Sequence, residues 1–144
     1  GGPGEVHSYF SPFGTPADAF VTMQAAILDF ENRVRLATVV ADEPFLFYTG
    51  TGERYYTGTM AWSLRGFTRA IQKVSVKSVE FHNKRGDFAS WAEKSLQDQV
   101  LTREFNEVRL AKTEGEQLRN GIVKASKKRL NDLRAEIQSA TRYF

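Results

Sequence analysis

Apolar residues mark out most of the chain's elements by their spacing. From Ala17 onward, Phe20, Met23, Ile27, Phe30, Val34 and Ala37 recur at intervals of three and four, the period of a helix with one buried face. Thr15-Pro16 supplies an N-cap followed by proline at the first helical position, where a missing N–H costs nothing. The spacing predicts a helix to about Thr38, stopped by Asp42-Glu43-Pro44. Two short β-rich runs follow, Phe45–Thr49 and Arg54–Met60, on either side of the turn sequence TGTGE. They predict a β-hairpin, and a lone hairpin is marginal in water, so it must lie on helices or join another chain.

Ser63 is placed to cap a helix whose Leu64, Phe67, Ile71 and Val74 share a face. Ser75 can cap the next segment, Val76–Arg85, where helix and strand both remain open because Val79 and Phe81 alternate. Gly86 reads as a left-handed helix terminator, and Asp87 as the N-cap of a helix with Phe88, Trp91, Ala92 and Leu96 on its apolar face. Asp98 can cap a helix over Gln99–Ala111. Thr113 and Glu116 have the spacing of a capping box opening a last helix, to about Ala140. In that helix Val123, Leu130 and Ile137 repeat at seven, with Leu133 between them, a narrow stripe suited to one packing partner. The expected fold is α+β and predominantly helical: one hairpin packed on several helices, and a long C-terminal helix. Residues 1–14 are expected to be a tag remnant (Gly1–Gly4) and an extended aromatic arm. Residues 15–112 are expected to form a single globular domain, and 113–144 an amphipathic helix packing on it or on a partner.

Composition narrows the chemistry more than it names it. Without cysteine there is no disulfide, thiolate site or cysteine nucleophile, and with His7 and His82 as the only histidines a metal centre is not expected. No apolar run approaches the roughly 20 residues that span a bilayer, and no signal peptide is visible. These features favour a cytoplasmic protein with no membrane role and no cofactor. The formal net charge is +3, unevenly placed: the first 100 residues are close to neutral, and the surplus lies in the C-terminal part. So small a surplus is a weak footprint for nucleic acid.

The richest set of functional side chains is His82, Arg85 and Asp87, with Tyr48, Tyr56 and Trp91 as possible neighbours. Facing one cleft, an imidazole, a guanidinium fork and a carboxylate could bind a small anion or move a proton. The competing structural reading has Asp87 capping a helix, Arg85 paired with Glu80, and His82 bonded to a backbone carbonyl. TGTG lacks the lysine and following helix of a phosphate-binding loop, so it reads as a tight turn. Lys124, Lys127, Lys128 and Arg129 form a basic patch that could track phosphates or simply be a solvated helix face. No catalytic residue is assigned.

The segment Phe81-His82-Asn83-Lys84-Arg85-Gly86-Asp87-Phe88-Ala89-Ser90-Trp91 resembles a small uncharacterised family of archaeal and bacterial proteins. Tyr48-Thr49-Gly50, Tyr56-Thr57-Gly58 and Ser63-Leu64 fit the same pattern, which covers about Phe45 to Phe105. The resemblance implies that hairpin, helix and corner form one unit, and it implies no function. The chain departs from it at Gln97, where the pattern has glycine. The leading expectation is a non-catalytic interaction or self-association module, with Val123, Leu130, Leu133 and Ile137 as the contact surface. A small-anion site at His82, Arg85 and Asp87, or nucleic-acid binding by the basic helix, stand as alternatives.

Overall fold

The computed structural model describes residues 19–20, 22–27 and 41–141. A two-stranded antiparallel hairpin, β1 (Phe45–Tyr48) and β2 (Tyr56–Ala61), leads into five helices. These are α1 (Leu64–Ile71), α2 (Val76–Arg85), α3 (Asp87–Lys94), α4 (Gln99–Leu110) and α5 (Gly115–Thr141). The protein is thus predominantly helical, with one hairpin and a long C-terminal helix. Residues 19–20 and 22–27 are helical too. The arm with Tyr9, Phe10 and Phe13, and the rest of the predicted N-terminal helix, lie outside the described residues.

Alternation in β1 sends Phe45 and Phe47 inward and leaves Leu46 exposed. The two buried rings join Phe67 of α1, Phe88 and Trp91 of α3, and Phe105 of α4 in one aromatic cluster. Phe67 sits at its centre, with ring centroids 5.2–5.8 Å from those of the other five. Offset and edge-to-face contacts of this kind add to the large apolar area such rings bury. The strands do not pair evenly: Leu46 faces Met60, but Tyr48 faces Tyr56, so β2 carries two extra residues. The bulge is closed by Thr57, whose hydroxyl donates to Phe47 O at 2.7 Å, and by Gly58 at φ 85°.

Caps set the helix boundaries largely as the sequence anticipates. Ser63 accepts from Gly66 N–H, Ser75 from Ser78 N–H, and Asp98 from Leu101 N–H. Val76–Arg85 is a helix, and Gly86 ends it at φ 74°, ψ 21°. No side-chain cap is possible from a glycine there, and a Cβ would lie 2.8 Å from Arg109 Nη1. The corner therefore needs glycine both for its backbone and for its space. The capping box does not form. The last helix begins at Gly115, whose N–H donates to Glu80 Oε2 at 3.1 Å, while Glu116 pairs with Arg119 one turn on. Glu80 is therefore turned to α5 and is no partner for Arg85.

Three arginines tie the C-terminal half to the ends of other helices. Arg109 donates to Lys84 O in the last turn of α2, at 2.7 Å. Arg119 donates to Ile71 O and Val74 O just beyond α1, at 2.8 and 2.6 Å. These are carbonyls a helix end leaves unsatisfied. Arg129 of α5 holds the capping aspartate itself, with Nε 2.7 Å from Asp98 Oδ2, and both side chains are largely buried.

The apolar stripe of α5 faces this body. Leu118, Ile122, Ala125, Leu130 and Leu133 are buried in the core, and Val123 and Ile137 pack against it half-exposed. By contrast, Phe20, Met23 and Ile27 are exposed by 61, 53 and 42%, where the sequence pattern predicts a buried face. A period of 3.6 reports that residues share a face, and it cannot report whether the same chain supplies something to cover it.

Two stability predictions follow from the α3–α4 junction. Gln97 adopts φ 53°, a left-handed conformation that costs a side-chain-bearing residue about 1 kcal/mol. Gln97→Gly is expected to raise the unfolding free energy by up to about 1 kcal/mol in urea denaturation, and a loss would mean its side chain matters more than its backbone. Asp98→Ala removes a cap and strands the buried Arg129 guanidinium, with an expected loss of about 3–5 kcal/mol. Asp98→Asn, which keeps the capping oxygen, should lose less.

Candidate functional site

The corner between α2 and α3 lies against the open edge of β1, and His82 is the link. Half the N–H groups of an outer strand point away from its partner and need another acceptor. Tyr48 N–H, on that edge, donates to His82 Nε2 at 2.8 Å. An amide can only donate, so Nε2 carries no proton and the ring is the Nδ1–H tautomer. Nδ1–H then donates to Asp87 Oδ2 at 2.8 Å. The imidazole is 4% exposed and packed among Phe45, Phe47, Tyr48, Phe81 and Phe88. Burial pushes its pKa below the ordinary 6.5; the hydrogen bond and charge of Asp87 pull it up, and Arg85 adds to the lowering.

Asp87 opens α3 but does not cap it. Its carboxylate turns back to His82, and the same Oδ2 lies 3.4 Å from Arg85 Nε. Arg85 lies over the Phe81 ring at 5.0 Å and keeps 54% of its side chain exposed. His82, Arg85, Asp87 and Tyr48 therefore converge, as the ligand-site hypothesis requires. They line a groove of about 450 Å³ whose other wall is the hairpin turn, Gly50, Thr51, Gly52 and Glu53, with Pro44, Phe45 and Leu46 beside it. Phe81 completes the helical side. Sequence reasoning did not place Glu53 or Phe81 at the site: Glu53 lies in no motif, and Phe81 entered only as the first residue of the resembling segment.

Two of the six residues named from the sequence lie elsewhere. Trp91 is in the core, stacked on Phe67, with Nε1–H donating to Glu43 O at 2.8 Å. Tyr56 packs on Tyr48, 5.3 Å between ring centroids, and its hydroxyl is buried rather than reaching water. The chemistry open to the site is also narrower than its composition suggests. Both imidazole nitrogens are engaged inside the protein, so His82 has no nitrogen with which to exchange a proton with a bound molecule. Arg85, with its outer edge in the groove, is the group available to a ligand.

Other candidate surfaces are thinned by the fold. Arg129 of the basic patch belongs to Asp98, while Lys124, Lys127 and Lys128 stay exposed, with Lys128 Nζ 3.7 Å from Glu104. Of the interface residues, Leu130 and Leu133 are buried by their own chain and Val123 and Ile137 rest half-exposed on its core. Among the described residues no group of side chains could hold a metal ion, and no helix is long and apolar enough to cross a membrane.

The His82 geometry gives a pH dependence with a definite sign. Between the lowered folded pKa and 6.5 the unfolded chain takes up a proton that the folded chain refuses. The contribution to stability is therefore complete above pH 6.5 and is lost as pH falls below it. In urea denaturation at about pH 7.5 and about pH 5.5, the wild type should lose more stability on acidification than His82→Gln. Equal losses would show that the imidazole does not carry the effect. Compared with known protein families, curated proteins and solved structures, the chain gives no match.

Proposed function

We propose that the protein is a non-catalytic interaction module that pairs with a second copy of itself. The observation that carries this reading is the exposed helical face of Phe20, Met23 and Ile27. Residues spaced three and four apart form one continuous stripe, and contiguous exposed apolar surface marks a site of contact. Of the α5 stripe, the first surface that the sequence suggests for this role, Leu130 and Leu133 are buried against the body and Val123 and Ile137 are half-exposed, so it offers less apolar surface than Phe20, Met23 and Ile27.

A second exposed apolar face lies on the hairpin. Leu46 and Met60 are cross-strand partners exposed by 37 and 46%, and Trp62 beside them by 47%. A two-fold pair in which the helix of one copy lies across the hairpin of the other covers both faces in both copies at once. The absence of a free imidazole nitrogen in the groove at His82 supports the non-catalytic half of the reading.

Light scattering on the full chain tests it. The unsubstituted protein should be a dimer at about 100 µM, and Phe20→Glu with Met23→Glu should give a monomer with unchanged helicity, since neither side chain belongs to the core. A wild-type monomer at that concentration, or a double variant that still pairs, would sink the proposal.

A further inference from the structure

From the groove between the hairpin turn and α2, we infer a binding site for a small zwitterion, an apolar α-amino acid with both its ammonium and its carboxylate free. The inference does not rest on self-association, although Leu46 borders both surfaces. Two charged groups of opposite sign stand on opposite walls of the groove. On the helical wall, Arg85 is fixed by its Nε to Asp87 and by its stacking on Phe81, and its Nη groups make no hydrogen bond among the described residues. A fixed guanidinium with its outer edge free presents the fork that matches a carboxylate. On the hairpin wall, Glu53 is exposed and makes no ion pair among the described residues. Its neighbour Arg54 is turned to Tyr55, 2.6 Å from Nη2 to the hydroxyl and 4.7 Å from guanidinium to ring centre. Arg85 and Glu53 do not pair with each other across the groove.

The charge balance selects the ligand class. The charged groups facing the groove are Arg85, Asp87 and Glu53, and His82 beside them is neutral. Arg85 and Asp87 offset one another, so a phosphate would meet a wall with a surplus negative charge, and a simple cation would face the guanidinium. A ligand with separated charges satisfies both walls, its carboxylate at Arg85 and its ammonium at Glu53. Leu46, Tyr48 and Phe81 leave an apolar and aromatic surface for the ligand's side chain. About 450 Å³ falls in the range of small-molecule sites.

The test is titration of the full-length protein, followed through its backbone amide NMR signals. The probes are L-phenylalanine and L-leucine, N-acetyl-L-phenylalanine, which lacks the ammonium, and L-phenylalanine amide, which lacks the carboxylate. The free amino acids should shift the signals of residues 50–53 and 85, and each blocked derivative should bind about tenfold more weakly, the size of one charge-assisted contact. Glu53→Gln should weaken L-phenylalanine about tenfold and leave the N-acetyl derivative unchanged, and Arg85→Gln should leave the amide derivative unchanged instead. Glu53 makes no contact that folding needs, so that variant carries the test even if Arg85→Gln disturbs the corner. No shift with either free amino acid up to about 10 mM, or equal binding of free and blocked forms, would overturn the inference.

Discussion

A two-stranded sheet has too little of its own to hold it together: few ladder bonds, one face to bury and two edges with unpaired amides. Here that constraint is met by α2, α3 and the aromatic cluster jointly. Phe45 and Phe47 supply the buried face, and His82 receives an edge amide that the ladder cannot use. The histidine can do so only as a neutral ring with its proton on Nδ1, and Asp87 fixes that tautomer. Asp87 is free for the task because it does not cap α3, and it stands in position because Gly86 turns the chain in the left-handed region. One backbone amide in the hairpin thus accounts for the residue types at three positions of the corner.

The C-terminal half answers a different problem. Five helices joined by short links leave many end carbonyls and amides without intrahelical partners. Arg109, Arg119 and Arg129 meet three of these ends, each reaching from a later helix to an earlier junction. A guanidinium suits such work, since it stays charged and offers several donors in a fixed plane. The same use buries most of Arg119 and Arg129, whereas Arg109 stays exposed.

How far the sequence could be read depended on whether the interactions were local. Ser63, Ser75 and Asp98 cap the residues beside them, and Gly86 ends a helix, because such signals act within three or four positions. The capping box at Thr113 failed because Glu80, 35 residues away, takes the amide of Gly115 and Arg119 takes Glu116. The helix–strand ambiguity of Val76–Arg85 came from a short segment in which both periods fit. At the site, His82, Arg85, Asp87 and Tyr48 could be grouped by type, but the bond from Tyr48 N–H that fixes the tautomer of His82 spans 34 residues. Nothing local shows that Asp87 faces a histidine rather than its own helix. Glu53 lies in no motif and Phe81 entered only within the resembling segment, and it is the fold that brings both to one groove.

The gap has its own physical basis. The hairpin is bound to α2 at Tyr48, near the end of β1, while the turn beyond it carries Gly50, Thr51 and Gly52, residues too small to fill the space between turn and helix. Arg85 is turned to Asp87 and to the face of Phe81. The contacts that secure the hairpin therefore also keep the groove open. Fastening the strand neutralises His82 and occupies Asp87, and that leaves a guanidinium on one wall and a carboxylate on the other as the groups a ligand would meet. Of the turn residues only Thr51 is open to enlargement, since a Cβ at Gly50 would lie 3.1 Å from Tyr55 Cγ and Gly52 adopts φ 110°, and none of the three takes part in the aromatic cluster. The openness of the groove is thus a property of this turn sequence, whose Gly52 the backbone itself requires.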